Sequence, residues 1–426
     1  MFNNRKDRVF NVTLCIFFLS IILKDFFKIL TFFELPNLNY VFLIIYPLVF
    51  VLLLLKAKTL KIDVLKSSFI IFYLWCFLSI LVNYIFDNKF GYSYNNILIA
   101  IFFYTILPLI FLLIIAVNPK YFQVSIDKII VPLGVFVLVT TVITFFLYLM
   151  QPDTVIDFFM ALMKDDLIVN PIQSTSTEIQ LRFSSIFYSS FTYALFCNFC
   201  LFHTLYNVSF SKLTRTILCF SFLLLIFLSL NRNGYVVFIF MALFYILRSF
   251  IFFNRFSVFL INFSFICLAI IIPFYLIVID VSAGFNSVDS LYFKISTLFS
   301  RVNAWDEYFN NVSWIDFLFG NGFVQGLGDS EFFLDNSYYH VIATGGVAAF
   351  CLLIFVVFKF SVVIISSQYS DEKQFVFAFS LFSSGLLSMF VNNSFFEPIF
   401  LVLYVFYPLS LALRYKTGNY FNTNKV

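Results

Sequence analysis

Three arginines stand out by where they fall. Arg182 opens an apolar run in Leu181-Arg182-Phe183-Ser184-Ser185-Ile186-Phe187. Arg232 occupies the tight turn Asn231-Arg232-Asn233-Gly234 between two apolar runs, and Arg301 lies in Ser300-Arg301-Val302-Asn303-Ala304-Trp305 of a long connector. A guanidinium is a planar fork of donors that stays charged and matches phosphate oxygens. At the edge of hydrocarbon it is costly unless paired or snorkelling to water. Together the three describe an anion site level with lipid headgroups, the depth of a pyrophosphate carried on a lipid tail. Each alone also reads as an interfacial or structural arginine. The same connector offers proton chemistry. Asp335, in Asp335-Asn336-Ser337-Tyr338-Tyr339, and His340 carry side chains able to act as a base toward a hydroxyl. Asp335 and Asn336 also stand where the next helix starts, so capping is the competing role.

The elements that must position these residues are membrane helices. The chain of 426 residues is 62% hydrophobic and 11% charged, against roughly 25% charged in soluble domains. Apolar runs long enough for a core about 30 Å thick recur along it, and a backbone in lipid must bond to itself. About twelve spans are predicted: 10–32, 38–55, 67–86, 97–117, 128–150, 184–207, 215–231, 234–250, 256–280, 338–366, 375–392 and 396–413. Lys24, Asp25 and Lys28 interrupt the first, which is expected to end early and continue along the interface. The fold class is all-α, a single polytopic membrane domain over 1–426, with no alternating segments of a barrel. No cleavable signal sequence is evident.

Assigning the connectors alternately to two sides sorts the charges. One side takes 18 of the 26 Lys+Arg and 5 of the 22 Asp+Glu, a net charge of about +13, and the other about −9. By the positive-inside rule the first side is cytoplasmic. Both termini then lie inside, and Arg182, Arg232 and Arg301 lie on the side that arginine usually avoids. Two outer connectors are long, 151–183 and 281–337. The second reads as an amphipathic helix around Trp305, then a glycine turn in Asp316-Phe317-Leu318-Phe319-Gly320-Asn321-Gly322.

Other motifs are excluded. There is no nucleotide-binding glycine loop and no basic nucleic-acid patch, so nucleic acid is not an expected partner. All seven cysteines fall within spans. Cys197 and Cys200 form a lone pair inside an apolar helix where zinc needs four ligands, so neither metal nor another cofactor is expected. The 68 Phe and 24 Tyr read as lipid-facing and packing surface. His203 near the inner end of its span reads as a packing or interfacial residue.

The order Arg301 to Trp305, Gly320 to Gly322, Asp335-Asn336, then Gly346 resembles the O-antigen polymerase and ligase superfamily of bacterial inner membranes. That family's pattern is R-x-x-x-W, a glycine turn, a His-Asn or Asp-Asn pair, and a glycine about eleven residues on. The stretch from Arg182 resembles the family's R-x-x-G-x-F, with Ser185 where the glycine usually sits, and Arg232 matches its short-loop arginine. The likeness covers roughly 180–350 in detail and the full length in topology. Where ligases of the family typically have His-Asn, this chain has Asp335-Asn336, which favours a polymerase.

The resemblance implies a GT-C-like glycosyltransferase of the bacterial inner membrane. It would polymerise undecaprenyl-pyrophosphate-linked repeat units into O-antigen or a similar surface polysaccharide. Arg182 and Arg232 would hold the pyrophosphate leaving group, and Arg301 would position pyrophosphate or loop. Trp305 and Asn336 would contact substrate, and Asp335, or else His340, would serve as base. Arginines in place of a metal remove the need for a cofactor. Membrane lipids, a chain-length regulator and a flippase are the expected partners. A ligase transferring glycan to lipid A core, and a lipid-linked oligosaccharide flippase or other transporter, are the competing readings. Transporters usually show mid-membrane ionisable residues and repeat symmetry.

Overall fold

Apolar runs become helices because an amide in hydrocarbon has no water to bond, and a helix pairs each one within its own segment. The computed structural model describes residues 5–33, 40–56, 63–86, 91–165, 168, 171–174, 179–206, 210–247, 255–279, 295–324, 336–367, 372–390 and 396–422. In chain order the helices begin with α1 (Arg5–Ile22), α2 (Lys24–Leu30), α3 (Tyr40–Lys56) and α4 (Val64–Phe86). Then come α5 (Tyr94–Ile101), joined to α6 (Leu107–Val117) by a π-helical turn, α7 (Pro119–Met150) and α8 (Pro152–Lys164). A three-residue hairpin, β1 (Ile172–Ser174) and β2 (Ile179–Leu181), pairs antiparallel with Gln173 opposite Gln180. There follow α9 (Ser190–Tyr206), α10 (Lys212–Leu228), α11 (Arg232–Leu247), α12 (Arg255–Ile279), α13 (Ile295–Asn311) and α14 (Trp314–Phe319). The series ends with α15 (Ser337–Ser367), α16 (Glu372–Ser388), α17 (Pro398–Phe400) and, after a second π-helical turn, α18 (Tyr407–Asn422).

Several starts follow from a short polar side chain taking up an orphan amide. Asp63 Oδ1 accepts from Lys66 N at 3.0 Å, Asn118 Oδ1 from Lys120 N at 2.9 Å, and Ser211 Oγ from Thr214 N at 3.1 Å. Ser189 Oγ accepts from Thr192 N. This cap starts α9 at Ser190, six residues later than the span predicted from 184, and leaves Arg182 in a turn rather than at the head of a helix.

Among the described residues the chain is all-α apart from the small hairpin, with several apolar helices suited to a membrane. Among the described residues four are long and apolar enough to cross one: Val64–Phe86, Tyr94–Val117, Pro119–Met150 and Ser337–Ser366. The first predicted span is broken at Leu23, where α1 and α2 meet at a 62° bend; the polar Lys24, Asp25 and Lys28 follow at once. Ile45–Leu55, Arg232–Leu247, Ser257–Ile272 and Pro398–Arg414 are shorter apolar helices. At 1.5 Å per residue, 17 residues rise about 25 Å, less than the hydrocarbon thickness.

The chain divides into two compact units, Met1–Thr59 with Val117–Leu247, and Leu60–Ala116 with Arg248–Val426. In the first unit α9 is buried on nearly every face, as befits a helix apolar all round, and packs against α7, α10 and α11. At one end of this unit Tyr188 N donates to Asp25 Oδ2 at 3.0 Å, Lys28 Nζ lies 5.5 Å from the Tyr188 ring centre, and Phe32 meets Phe158 of α8. Elsewhere in the unit Phe10 meets Tyr121, and His203 Nε2 lies 2.9 Å from Asp127 Oδ1. In the second unit α15 packs on α4, α12, α14 and α18, and the π-helical turn Leu401–Phe406 is wholly buried.

Candidate functional site

Arg182 and Arg232 come together within the first unit. Arg182 N donates to Pro171 O at 2.7 Å, prolonging the hairpin by one bond, and Phe183 N reaches Leu228 O at the end of α10. The chain then turns at Ser185, whose φ of 50° is left-handed, while its Oγ lies 2.6 Å from Thr140 Oγ1 of α7. Arg232 is set from the other side. Leu230, also left-handed at φ 47°, reverses the chain after α10. Asn231 N donates to Ser229 Oγ, and Asn231 Oδ1 caps α11 by accepting from Gly234 N at 3.0 Å. Arg232 is therefore the first residue of α11. The next turn is pinned to α9 by Asn198 Nδ2, which donates to Gly234 O at 3.0 Å.

Burial, then the positive charge of Arg232, push the Arg182 guanidinium pKa below its ordinary value, and Tyr235 acts in the opposite sense. Two cations thus share one partly buried corner, where the amino end of α11 adds positive potential. Such a corner favours an anion with several oxygens.

The long-loop motif is assembled within the second unit. Trp305 of α13 is 3% exposed and packs with Val302, Tyr308, Phe323, Tyr339, Ile342 and Ala343. It meets Tyr339 edge to face at 5.5 Å. The glycine turn docks onto a break in α15. Gly346, at φ 72° and ψ −176°, is non-helical within that helix, which opens the carbonyls before it. They are taken up one by one: Asn321 N donates to Ala343 O at 3.0 Å and Gly322 N to Thr344 O at 3.1 Å. Ser79 Oγ also donates to Thr344 O, and Trp75 Nε1 donates to Gly345 O at 2.7 Å. Gly320 is left-handed at φ 88°, and a Cβ there would lie 2.4 Å from Thr344 O. Tyr92 Oη stitches the far side, donating to Gly322 O and accepting from Val324 N at 2.7 Å.

Asn336 starts α15 as expected of a cap. Its Oδ1 accepts from Tyr338 N at 2.9 Å and Tyr339 N at 3.3 Å, and its Nδ2 donates to Ala269 O of α12 at 3.1 Å. Three of its bonds are thus structural. Asp335 lies outside the described residues. His340, one turn into α15, is fully buried. Its Nε2 lies 3.1 Å from Tyr104 Oη, and Phe323 and Phe396 flank the ring. Tyr104 sits in the π-helical turn between α5 and α6, a distortion common at functional sites. Arg301 is partly exposed on α13, four residues before Trp305.

The structure therefore brings Arg182 to Arg232 in one unit, and Trp305, Asn336, His340 and the glycine turn together in the other. Sequence reasoning missed Trp75, Ser79, Tyr92 and Tyr104. All four lie in or beside apolar runs where nothing marks a polar partner. Compared with family models, curated proteins and solved structures, the chain matches none of them.

Proposed function

We propose that the chain is a membrane glycosyltransferase that polymerises lipid-linked oligosaccharide units, carried on undecaprenyl pyrophosphate, at the outer face of a bacterial inner membrane. One observation carries this reading: Arg182 and Arg232, far apart in sequence, converge, Phe183 N bonding to Leu228 O beside the turn that carries Arg232, and burial, then the charge of Arg232, lower the Arg182 pKa. A leaving pyrophosphate gains charge in the transition state, and fixed cations aimed at it lower the barrier. Ser185 adds support. Its left-handed backbone is the conformation that glycine takes without strain, and glycine is what the resembled family carries there.

In this reading Arg301 positions the pyrophosphate or the loop, and Asp335 accepts the proton of the attacking sugar hydroxyl. The new glycosidic bond forms as the old bond to pyrophosphate breaks. His340, sealed against Tyr104, positions the start of α15 and leaves the base role to Asp335. Trp305 and Asn336 hold the loop's shape, which any substrate contact presupposes. The proposed topology has about twelve spans with both termini cytoplasmic. Within the first unit, Tyr188 at the outer end of its predicted span meets Asp25 of an outer stretch, and His203 near the inner end meets Asp127 of an inner connector, each contact agreeing with the charge sorting. Arg182→Ala and Arg232→Ala test the reading. Each is expected to abolish long glycan chains at normal expression, and persistence of long chains in both would reject it.

A further inference from the structure

A second charged feature lies in the first unit, in a crevice between α1 and α7. It encloses about 530 Å³ and is lined by Arg8, Asn11, Val12, Cys15, Ile16 and Lys128. The ring contacts Phe10–Tyr121 and Phe18–Phe122 hold the two helices together beside it. Among the described residues no carboxylate pairs with Arg8 or Lys128. Asn11 is 4% exposed, and its Oδ1 is buried with no donor among the described residues. Such an atom costs about 1–3 kcal/mol when left unmet. Val12 and Ile16 are well exposed and continue the crevice as an apolar track along α1.

Two cations, one buried acceptor and an adjoining apolar track match a particular ligand chemistry. The cations call for a phosphate, the acceptor for a donor beside it, and the track for an acyl chain. We infer that this crevice binds the headgroup of an anionic glycerophospholipid of the phosphatidylglycerol type. Its phosphodiester sits between Arg8 and Lys128, a glycerol hydroxyl donates to Asn11 Oδ1, and the first acyl methylenes run along Val12 and Ile16. The volume suits a headgroup, within the usual range of small-molecule sites. Both cations lie at connectors that the charge sorting assigns to the cytoplasm, the leaflet face where basic residues meet anionic lipid. The site is independent of the arginine corner and of the reaction proposed there.

The test is native mass spectrometry on the delipidated full-length protein, titrated with phosphatidylglycerol, phosphatidylcholine, phosphatidic acid or soluble glycerophosphoglycerol. Phosphatidylglycerol is expected to bind at one equivalent, at least about tenfold more tightly than phosphatidylcholine. Arg8→Gln and Lys128→Gln should each weaken it about tenfold, while Lys212→Gln on α10 leaves it unchanged. Asn11→Leu should weaken phosphatidylglycerol and spare phosphatidic acid, which lacks the glycerol hydroxyl. Equal binding of the zwitterionic lipid, or wild-type affinity in both cation variants, would overturn the assignment. Soluble glycerophosphoglycerol binding as tightly as the intact lipid would replace a lipid site with a phosphate site. Should Arg8→Gln fail to fold, Lys128→Gln and Asn11→Leu carry the same comparison.

Discussion

Arg182 and Arg232 are held by different means for one purpose. The first is fixed by a backbone bond to Pro171 beside the hairpin, the second by the Asn231 cap at the head of α11. Their types and boundary positions are legible in the sequence. Their meeting is not, because it depends on how α10 reverses at Leu230 and on the turn at Ser185. Removing one cation aimed at a developing charge should slow the reaction by about 10²–10³-fold, read as loss of polymer length. Arg→Lys at either position should recover part of it, since charge survives and the fork does not. Ser185 gives a stability test. Glycine there relieves about 1 kcal/mol of left-handed strain and loses about 1 kcal/mol from the Thr140 bond. Ser185→Gly should therefore leave the melting temperature nearly unchanged, and Ser185→Val, which keeps the strain and loses the bond, should lower it. A large drop for the glycine variant would contradict this balance.

At the scale of elements, the resembled motif turns out to be mostly scaffold. Trp305 fills a core, Asn336 caps α15, and Gly320, Gly322 and Gly346 let a loop and a helix share hydrogen bonds. The amphipathic helix, the glycine turn and the cap were all readable, because each is a local signal of composition and spacing. That the turn would close a break in α15 was not, since the break at Gly346 satisfies its carbonyls through residues more than 260 positions away, Trp75 and Ser79. Gly346→Ala is expected to cost about 3 kcal/mol. Its Cβ would lie 2.3 Å from Leu318 O, and the backbone there is left-handed. Thermal unfolding in detergent checks it; a wild-type melting temperature would mean that the break is not held as described. Asn336→Leu strips α15 of its cap and Ala269 of its donor, a loss of about 2 kcal/mol. Asn336→Asp keeps the cap but sets a buried carboxylate oxygen against Ala269 O, and should lose at least as much.

For the whole molecule, composition and the length of the apolar runs pointed to a helical membrane protein, the structure has apolar helices long enough to cross one, and charge sorting proposed an orientation. The span count was less legible. Hydropathy averages over residues that capping or a bend take out of the straight run, as at Leu23. Reporter fusions test the orientation: fusions after residue 120 and after residue 416 should report the cytoplasm, and fusions within 151–183 the outer side. The reverse pattern would place the arginine corner on the wrong face for a carrier-linked glycan. The most direct test of the account is a lipopolysaccharide gel from a deletion strain complemented with wild type or Arg232→Ala at equal expression. The account predicts a full ladder with wild type and a collapse to core plus one repeat unit with the variant. An unchanged ladder in the variant would contradict the role assigned to Arg232 and with it the polymerase reading.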